Sequence, residues 1–416
     1  MNDSGRRRAA ALVLPLLLTT LAACQSGGQD GRPEAKPAPP SATPVFSVRL
    51  DDQLSAASEA TRAAGSAAFT WTLRYGSAKG TAVERVTGVQ DYAKDTARAE
   101  RVLDIPRRFP EDAAADLGGQ PGGPREPQQY AVSGNRVSYR TAGGSWLRYS
   151  SSASSDVVDL MDDALQRAGE VAPYGRTLAE VVSVADATKP PVKGADGTRT
   201  YRLAIPLTYA TGALPKRIEV GQDSARQAPG PIPLTVVLDA EGRLVRATAD
   251  YAPALKLLHD GHRLKGVTSL RAEYVLSGHG RTPVPPLPAG ERTQDAEKVL
   301  TPVHKVRPGA CVSRDTGLAS IDLVRVVACG PGADLRVFGQ VKVKKTIQGD
   351  PDGVAPGIAE DKCVAAYRSV PRAWIADAHP AATHYSYGGA AVSYAYTGPD
   401  VTVEGDYTCY VDISGR

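Results

Sequence analysis

Large apolar side chains alternate with polar ones along Phe69-Thr-Trp-Thr-Leu-Arg-Tyr75. A strand there places Phe69, Trp71, Leu73 and Tyr75 on one face and Thr70, Thr72 and Arg74 on the other. The same period, more weakly expressed, marks strands near Ala82–Val89 and Ala97–Leu103. A hairpin is predicted from Arg136–Tyr139 through Gly143-Gly144 to Trp146–Tyr149. Thr200–Leu207 turns Tyr201, Leu203 and Ile205 to one side. Pro233–Leu238, the turn Asp239-Ala-Glu-Gly242 and Arg243–Tyr251 make the clearest hairpin, and Thr268–Leu276 puts Leu270, Ala272, Tyr274 and Leu276 on one face. Helical spacing is rarer. A helix is predicted over about Leu50–Ala64, stopped by Gly65, and a shorter one between Tyr209 and Arg226. Ser155 is placed to cap another through Ala168, with Val158, Met161, Leu165 and Ala168 along one side.

These elements describe an α+β domain built on a long antiparallel sheet of about eight or more strands. A sheet with one aromatic face must cover that face, and helices inserted between strands can lie across it. The space beneath is either filled, as in a plain α+β core, or hollow enough for a ligand. If it is hollow, the candidate ligand-facing residues are Phe69, Trp71, Leu73, Tyr75, Tyr201, Leu203 and Tyr274.

Order and motifs carry a resemblance. The helix, the aromatic strand, the Gly-Asn-Arg-Val-Ser-Tyr and Trp-Leu-Arg-Tyr hairpin, a second helix and the terminal Leu-Asp-Ala-Glu-Gly-Arg-Leu-Val-Arg hairpin resemble actinobacterial lipoproteins of the LppX/LprG group. Those are similar in fold to the LolA/LolB lipoprotein carriers. The resemblance covers roughly residues 50–280. It implies an antiparallel half-barrel clasped by helices around an apolar pocket for the acyl chains of an envelope lipid or lipoglycan. The broad fold also serves sensors and scaffolds, so it leaves the ligand open.

Arg281-Thr-Pro-Val-Pro-Pro-Leu-Pro-Ala-Gly290 carries four prolines and reads as a stiff linker, which places a boundary within 281–300 between a 46–280 domain and a 301–416 domain. The second domain holds Cys311, Cys329, Cys363 and Cys409. Strands are predicted over Leu323–Cys329 and about Asp334–Lys345, a helix over Gly357–Tyr367, and a final strand bearing Cys409. Four cysteines allow three pairings. Cys311–Cys329 with Cys363–Cys409 is favoured, because each bond then ties neighbouring elements. A zinc site lacks any Cys-x-x-Cys spacing. The frame Gly-x-Cys311, Val-Val-x-Cys329, Val-Phe-Gly339 and Cys363-x-x-x-Tyr367 resembles the septum-formation domain of actinobacterial envelope proteins. That resemblance implies a small disulfide-stapled α+β domain with an envelope protein partner and an association with cell division. One departure is Cys329-Gly-Pro-Gly-Ala, where Cys-x-x-Pro-His is common in that family.

The amino terminus changes where all this must work. Three arginines, Arg6 to Arg8, precede an uncharged run from Ala9 to Leu21, and the run ends in Leu21-Ala-Ala-Cys24. A basic head, a short apolar middle and small residues before a cysteine resemble a secretory signal (1–23) ending in a bacterial lipobox. In such precursors the Cys24 sulfur receives a lipid, palmitate being a usual component. The expectation is a membrane-anchored protein on the extracytoplasmic face. About thirteen apolar residues fall short of the roughly 20 needed to span a bilayer. Residues 24–45 are Gly, Ser, Pro, Ala and charge, and read as a disordered tether.

The formal charge is +4, and removing residues 1–23 leaves 46 basic against 44 acidic residues, or +2. Export and near-neutrality argue against nucleic acid as a partner. No Gly-x-Ser-x-Gly, His-Glu-x-x-His or Gly-Lys-Ser/Thr motif occurs, no cofactor is implied, and a non-enzymatic binding role is expected. His259-Asp-Gly-His262 is the one compact histidine pair and reads as a solvated loop. Asp162-Asp163 reads as a solvated helix face, and Lys342, Lys344 and Lys345 either meet an anionic surface or guard an edge strand.

Overall fold

The computed structural model describes residues 44–413 except 126, 135, 141–143, 151–176, 216–217, 219, 221, 227–228, 287–291, 314–322, 349–353 and 376–385. Cys24, the helix read from Ser155 and Asp162-Asp163 lie outside these residues.

The first helix, α1, spans Gln53–Ala63. It ends where Gly65, at φ 88°, turns the chain into β1 (Ser66–Ser77). A side chain at that φ would be strained, which is why glycine stops the helix here. Next come β2 (Gly80–Asp91), β3 (Thr96–Asp104), the short α2 (Glu111–Asp116), β4 (Gln128–Ser133), β5 (Arg136–Arg140) and β6 (Trp146–Ser150). They are followed by α3 (Leu178–Ser183), β7 (Val192–Lys193), β8 (Arg199–Ile205), α4 (Leu207–Ala210) and α5 (Gln222–Arg226). The series closes with β9 (Ile232–Leu238), β10 (Leu244–Asp250), α6 (Ala252–Asp260), β11 (Val267–Ser277) and β12 (Thr293–Asp295).

The strands form one curled half-barrel sheet in the order β12-β6-β5-β4-β3-β2-β1-β11-β10-β9-β8-β7. Every pairing is antiparallel except β12 with β6, where Thr293, Gln294 and Asp295 run alongside Trp146, Leu147 and Arg148. Neighbours in sequence pair through short turns, as their alternation requires. In the β9–β10 turn Asp239 Oδ1 accepts from the backbone N–H of Glu241 and Arg243, while Gly242 takes φ 82°. The long-range closure is β1 with β11, which sets Phe69 opposite Leu276, Trp71 opposite Tyr274, Leu73 opposite Ala272 and Tyr75 opposite Leu270.

Register decides which side chains share the core, because cross-strand partners point the same way. The inner face gathers Phe69, Trp71, Leu73 and Tyr75 of β1 with Tyr130, Tyr139, Tyr149, Tyr201, Val236 and Tyr274, all buried. Short helices cover it. α3 packs on α1 and across β10 and β11, and α6 lies against β9 and β11.

Beyond β12 come α7 (Ala296–Val299), β13 (Thr301–Pro302), β14 (Cys311–Ser313), β15 (Leu323–Val327), β16 (Leu335–Gln348), α8 (Val354–Tyr367), α9 (Arg372–Ile375), β17 (Ser386–Thr397) and β18 (Asp400–Asp412). The strands make a second, six-stranded sheet, β13-β15-β14-β16-β18-β17, with α8 across β16 and β18. Bonds join Cys311 to Cys329 and Cys363 to Cys409, the second tying α8 to β18. Within the 281–300 stretch, Thr293–Asp295 is therefore sheet, and Arg148 grips Asp295 through Nε and Nη2 at 2.9 and 2.6 Å. Leu300 and Leu323 join the half-barrel's core cluster, so packing is continuous past the proline-rich stretch.

The lysines of β16 are exposed beside β18. Lys344 pairs with Glu404 of β18 at 2.9 Å and Lys342 approaches Asp406 at 3.7 Å, across an exposed face. β14 pairs with β16 only at Leu335 and Arg336. From Lys342 onward β16 has no strand on its outer side among the described residues.

Candidate functional site: the inner face of the half-barrel

All seven residues read as ligand-facing lie on the inner face, in two groups. Phe69, Trp71, Leu73 and Tyr75 on β1 adjoin Tyr274 on β11, where the Tyr274 ring stacks on Phe69 at 6.1 Å and meets Trp71 edge-on at 6.2 Å. Tyr201 and Leu203 stand on β8, beyond β10 and β9, opposite Val236 and Leu234. Leu73, Tyr75, Tyr201 and Tyr274 have no accessible surface; Phe69, Trp71 and Leu203 keep 3, 4 and 9%. A side chain with zero accessible surface borders no space that admits a water molecule. At these positions the inner face is filled by the protein's own atoms.

The phenol groups are placed accordingly. Tyr201 donates to Gln53 Oε1 of α1 at 2.6 Å, and Tyr251 donates to the Ala210 carbonyl at 2.9 Å. Gln90 Nε2 donates to the Tyr274 hydroxyl at 3.2 Å. Burial pushes the Tyr201 and Tyr251 hydroxyls above the usual phenol range, so both stay neutral donors at physiological pH.

A polar cluster on the same face was missed in the sequence. Glu84 and Arg101 are 3 and 4% exposed and pair Oε1 to Nε at 2.6 Å. Arg101 Nη1 donates to Gln128 Oε1 at 2.7 Å, which also accepts from the Tyr130 hydroxyl at 3.2 Å, and the Tyr75 hydroxyl lies 3.5 Å from Glu84 Oε2. Charged groups out of water need such partners. The signal was parity. Glu84 shares its face with Ala82 and Val86, and Arg101 with Ala97 and Ala99. The inner face is thus apolar and aromatic along β1, β11 and β8, and polar at its centre along β2, β3 and β4.

Other candidates resolve differently. His259 lies on α6, its Nε2 3.1 Å from the Leu264 carbonyl, and His262 stands in the following turn at φ 60°. Among the described residues no group of three or more His, Cys, Asp or Glu side chains is arranged to hold a metal ion. No described helix is long and apolar enough to cross a membrane. His279 is a half-buried group that sequence reading passed over. Its Nε2–H donates to the Leu244 carbonyl at 3.1 Å, and burial, with Arg243 nearby, holds its pKa below the ordinary histidine value.

Neither protein-family models nor curated proteins give a match to this chain. Among solved structures, the lipoprotein LppX of Mycobacterium tuberculosis aligns at 14% identity over 56% of this chain and all of its own, with a TM-score of 0.25. MucB in complex with the periplasmic part of MucA aligns at 10% identity over 86% of this chain and 92% of its own, with a TM-score of 0.22. The Pseudomonas aeruginosa MucA/MucB complex gives 10% identity over 85% and 90%, again at 0.22.

Proposed function

We propose that the chain is a membrane-tethered envelope protein that works outside the cytoplasm and acts by binding, with its half-barrel in a closed, self-filled state. The tether is the lipid expected on Cys24, after Leu21-Ala-Ala. Two disulfide bonds support an oxidising compartment. The observation that carries the closed state is the absence of accessible surface at Leu73, Tyr75, Tyr201 and Tyr274. On this reading the half-barrel is a scaffold, and recognition belongs to outer surfaces of the two sheets, with an envelope protein as one class of partner.

A second reading keeps the inner face as a carrier site for a lipid or lipoglycan acyl chain. It is favoured by the cover. α3, α4 and α6 have six, four and nine residues. Helices this short are held by packing rather than by their own stability, so an amphiphile that displaced them would meet Phe69, Trp71 and Tyr274.

The two readings separate on purified protein extracted with organic solvent and then titrated with a fluorescent fatty acid. The closed reading expects no co-purified lipid apart from the anchor and no saturable binding. Stoichiometric lipid, or micromolar binding lost in Trp71→Arg with the fold retained, establishes the carrier instead.

A further inference from the structure

At the rim where β1 turns into β2, three separate segments converge on an open cleft of about 660 Å³. The β1–β2 turn supplies Lys79, the β3–α2 loop supplies Arg107 and Arg108, and the α6–β11 loop supplies Lys265. None of these four cations is within ion-pairing distance of a carboxylate among the described residues, although Glu111 and Asp112 also line the cleft. Some exposed cations elsewhere are paired, as Arg125 is with Asp104, Lys256 with Asp260 and Lys298 with Asp295. Others, such as Arg85 and Arg202, stand singly among the described residues; the cleft differs in gathering four. Four cations against two acids leave a net surplus of positive charge in the cleft.

The backbone holds this arrangement in place. A Cβ on Gly122 would stand 2.5 Å from Arg107 Cγ, and the Gly122 N–H donates to the Ile105 carbonyl at 2.9 Å, so the stem of Arg107 is pinned. Gly80 and Gly266, at φ 127° and 83°, press against Pro106 and Pro110 at distances that leave little room for a larger residue. Asp116 Oδ2 accepts from the Leu264 N–H at 2.6 Å, fixing the loop that presents Lys265, and Leu264 sits at φ 50°. The three loops are thus interlocked before any ligand arrives, which lowers the ordering cost of binding.

We infer that this cleft binds a phosphate-bearing ligand. Two guanidinium groups offer forked donors matched to phosphate oxygens, and two ammonium groups add point charge. Position adds to the argument. Val45, the second described residue, packs on Gly242 of the β9–β10 turn. β10 runs parallel to β1 through their shared neighbour β11, so that turn lies at the end where β1 starts. The cleft lies at the other end of β1, whose 12 residues span about 40 Å. It is therefore remote from the point where the tether joins.

The test uses the secreted full chain carrying Cys24→Ser, so that no anchor contributes. One arm titrates sodium polyphosphate by calorimetry at low salt. The other measures co-sedimentation with vesicles of phosphatidylglycerol in phosphatidylcholine. Saturable binding is expected, weakened at least about tenfold by Arg107→Gln/Arg108→Gln/Lys265→Gln. It should be kept within about threefold by neutralising Arg202, Lys256 and Arg271 elsewhere on the half-barrel, and a circular dichroism spectrum and urea midpoint matching the parent's control for folding of the cleft variant. Binding to polyphosphate, alone or with vesicles, assigns a soluble or polymeric phosphate; binding to vesicles alone assigns a lipid headgroup. The inference is overturned if neither probe binds saturably, if the cleft variant binds like the parent, or if the distant control loses as much.

Discussion

Leu73→Ala distinguishes a filled inner face from a hollow one. Leu73 has no accessible surface and stands between Ala272 of β11 and Glu84 of β2. The substitution removes three carbons, worth about 2.5 kcal/mol of lost transfer energy at roughly 0.8 kcal/mol per methylene. Unrelaxed space left behind raises the cost to about 3–5 kcal/mol, the range for leucines in packed cores. Were the side chain lining a water-filled, ligand-sized hollow, about half of it would already face water and no new void would form. The cost would then fall to about half the transfer energy, roughly 1 kcal/mol. Urea unfolding measures the difference. Trp374→Phe in both proteins leaves Trp71 and Trp146 as reporters of the half-barrel. A loss below about 1.5 kcal/mol at an unchanged denaturant slope would refute the filled face.

Glu84→Leu alone should cost about 3–5 kcal/mol, because it leaves the buried Arg101 guanidinium uncompensated, whereas Glu84→Leu/Arg101→Leu should recover most of that in the same unfolding assay. Replacing Cys363 and Cys409 by Ser should cost more than replacing Cys311 and Cys329. The bonds close separations of 46 and 18 residues, worth about 4 and 3 kcal/mol, and thermal melts followed at Trp374 should show that order. His279 contributes a pH dependence. Its folded pKa lies below the unfolded value, so the unfolded chain binds a proton first as pH falls, and stability present above about pH 6.5 declines through the folded pKa. Urea midpoints between pH 7.5 and 5 should fall more steeply for the parent than for His279→Gln, and parallel curves would exclude this origin.

Alternation made most of the half-barrel legible. Phe69–Tyr75, Thr200–Leu207 and Thr268–Leu276 each show one buried face in sequence. The structure extends the first to Ser66–Ser77 and the third to Val267–Ser277, and ends the second at Ile205, because Pro206 breaks the ladder and Leu207 opens α4. Reading by residue type rather than parity hid the polar centre, since Glu84 and Arg101 sit where the pattern calls for apolar side chains. β12 was not visible because Thr293-Gln-Asp295 has no hydrophobic pattern; its pairing with β6 depends on Arg148 reaching Asp295, a contact across 147 residues. α6 was passed over beside the histidine pair, although Ala254, Leu255 and Leu258 form a helical apolar side after Pro253. The basic cleft was illegible in principle. Lys79, Arg107 and Lys265 come together only through strand order, and no local spacing connects them. Whether the inner face is hollow also depends on side-chain packing between distant strands, which periodicity does not encode.

Whether the inner face is filled and closed can be read out at Trp71. In a Trp146→Phe/Trp374→Phe background, Trp71 is the only indole, and a brominated fatty acid quenches an indole it contacts. A closed half-barrel predicts that fluorescence stays within error of the value with the unbrominated acid at every concentration below micelle formation. Saturable quenching that the unbrominated acid displaces would place an acyl chain against Trp71, and the inner face would then be an open site.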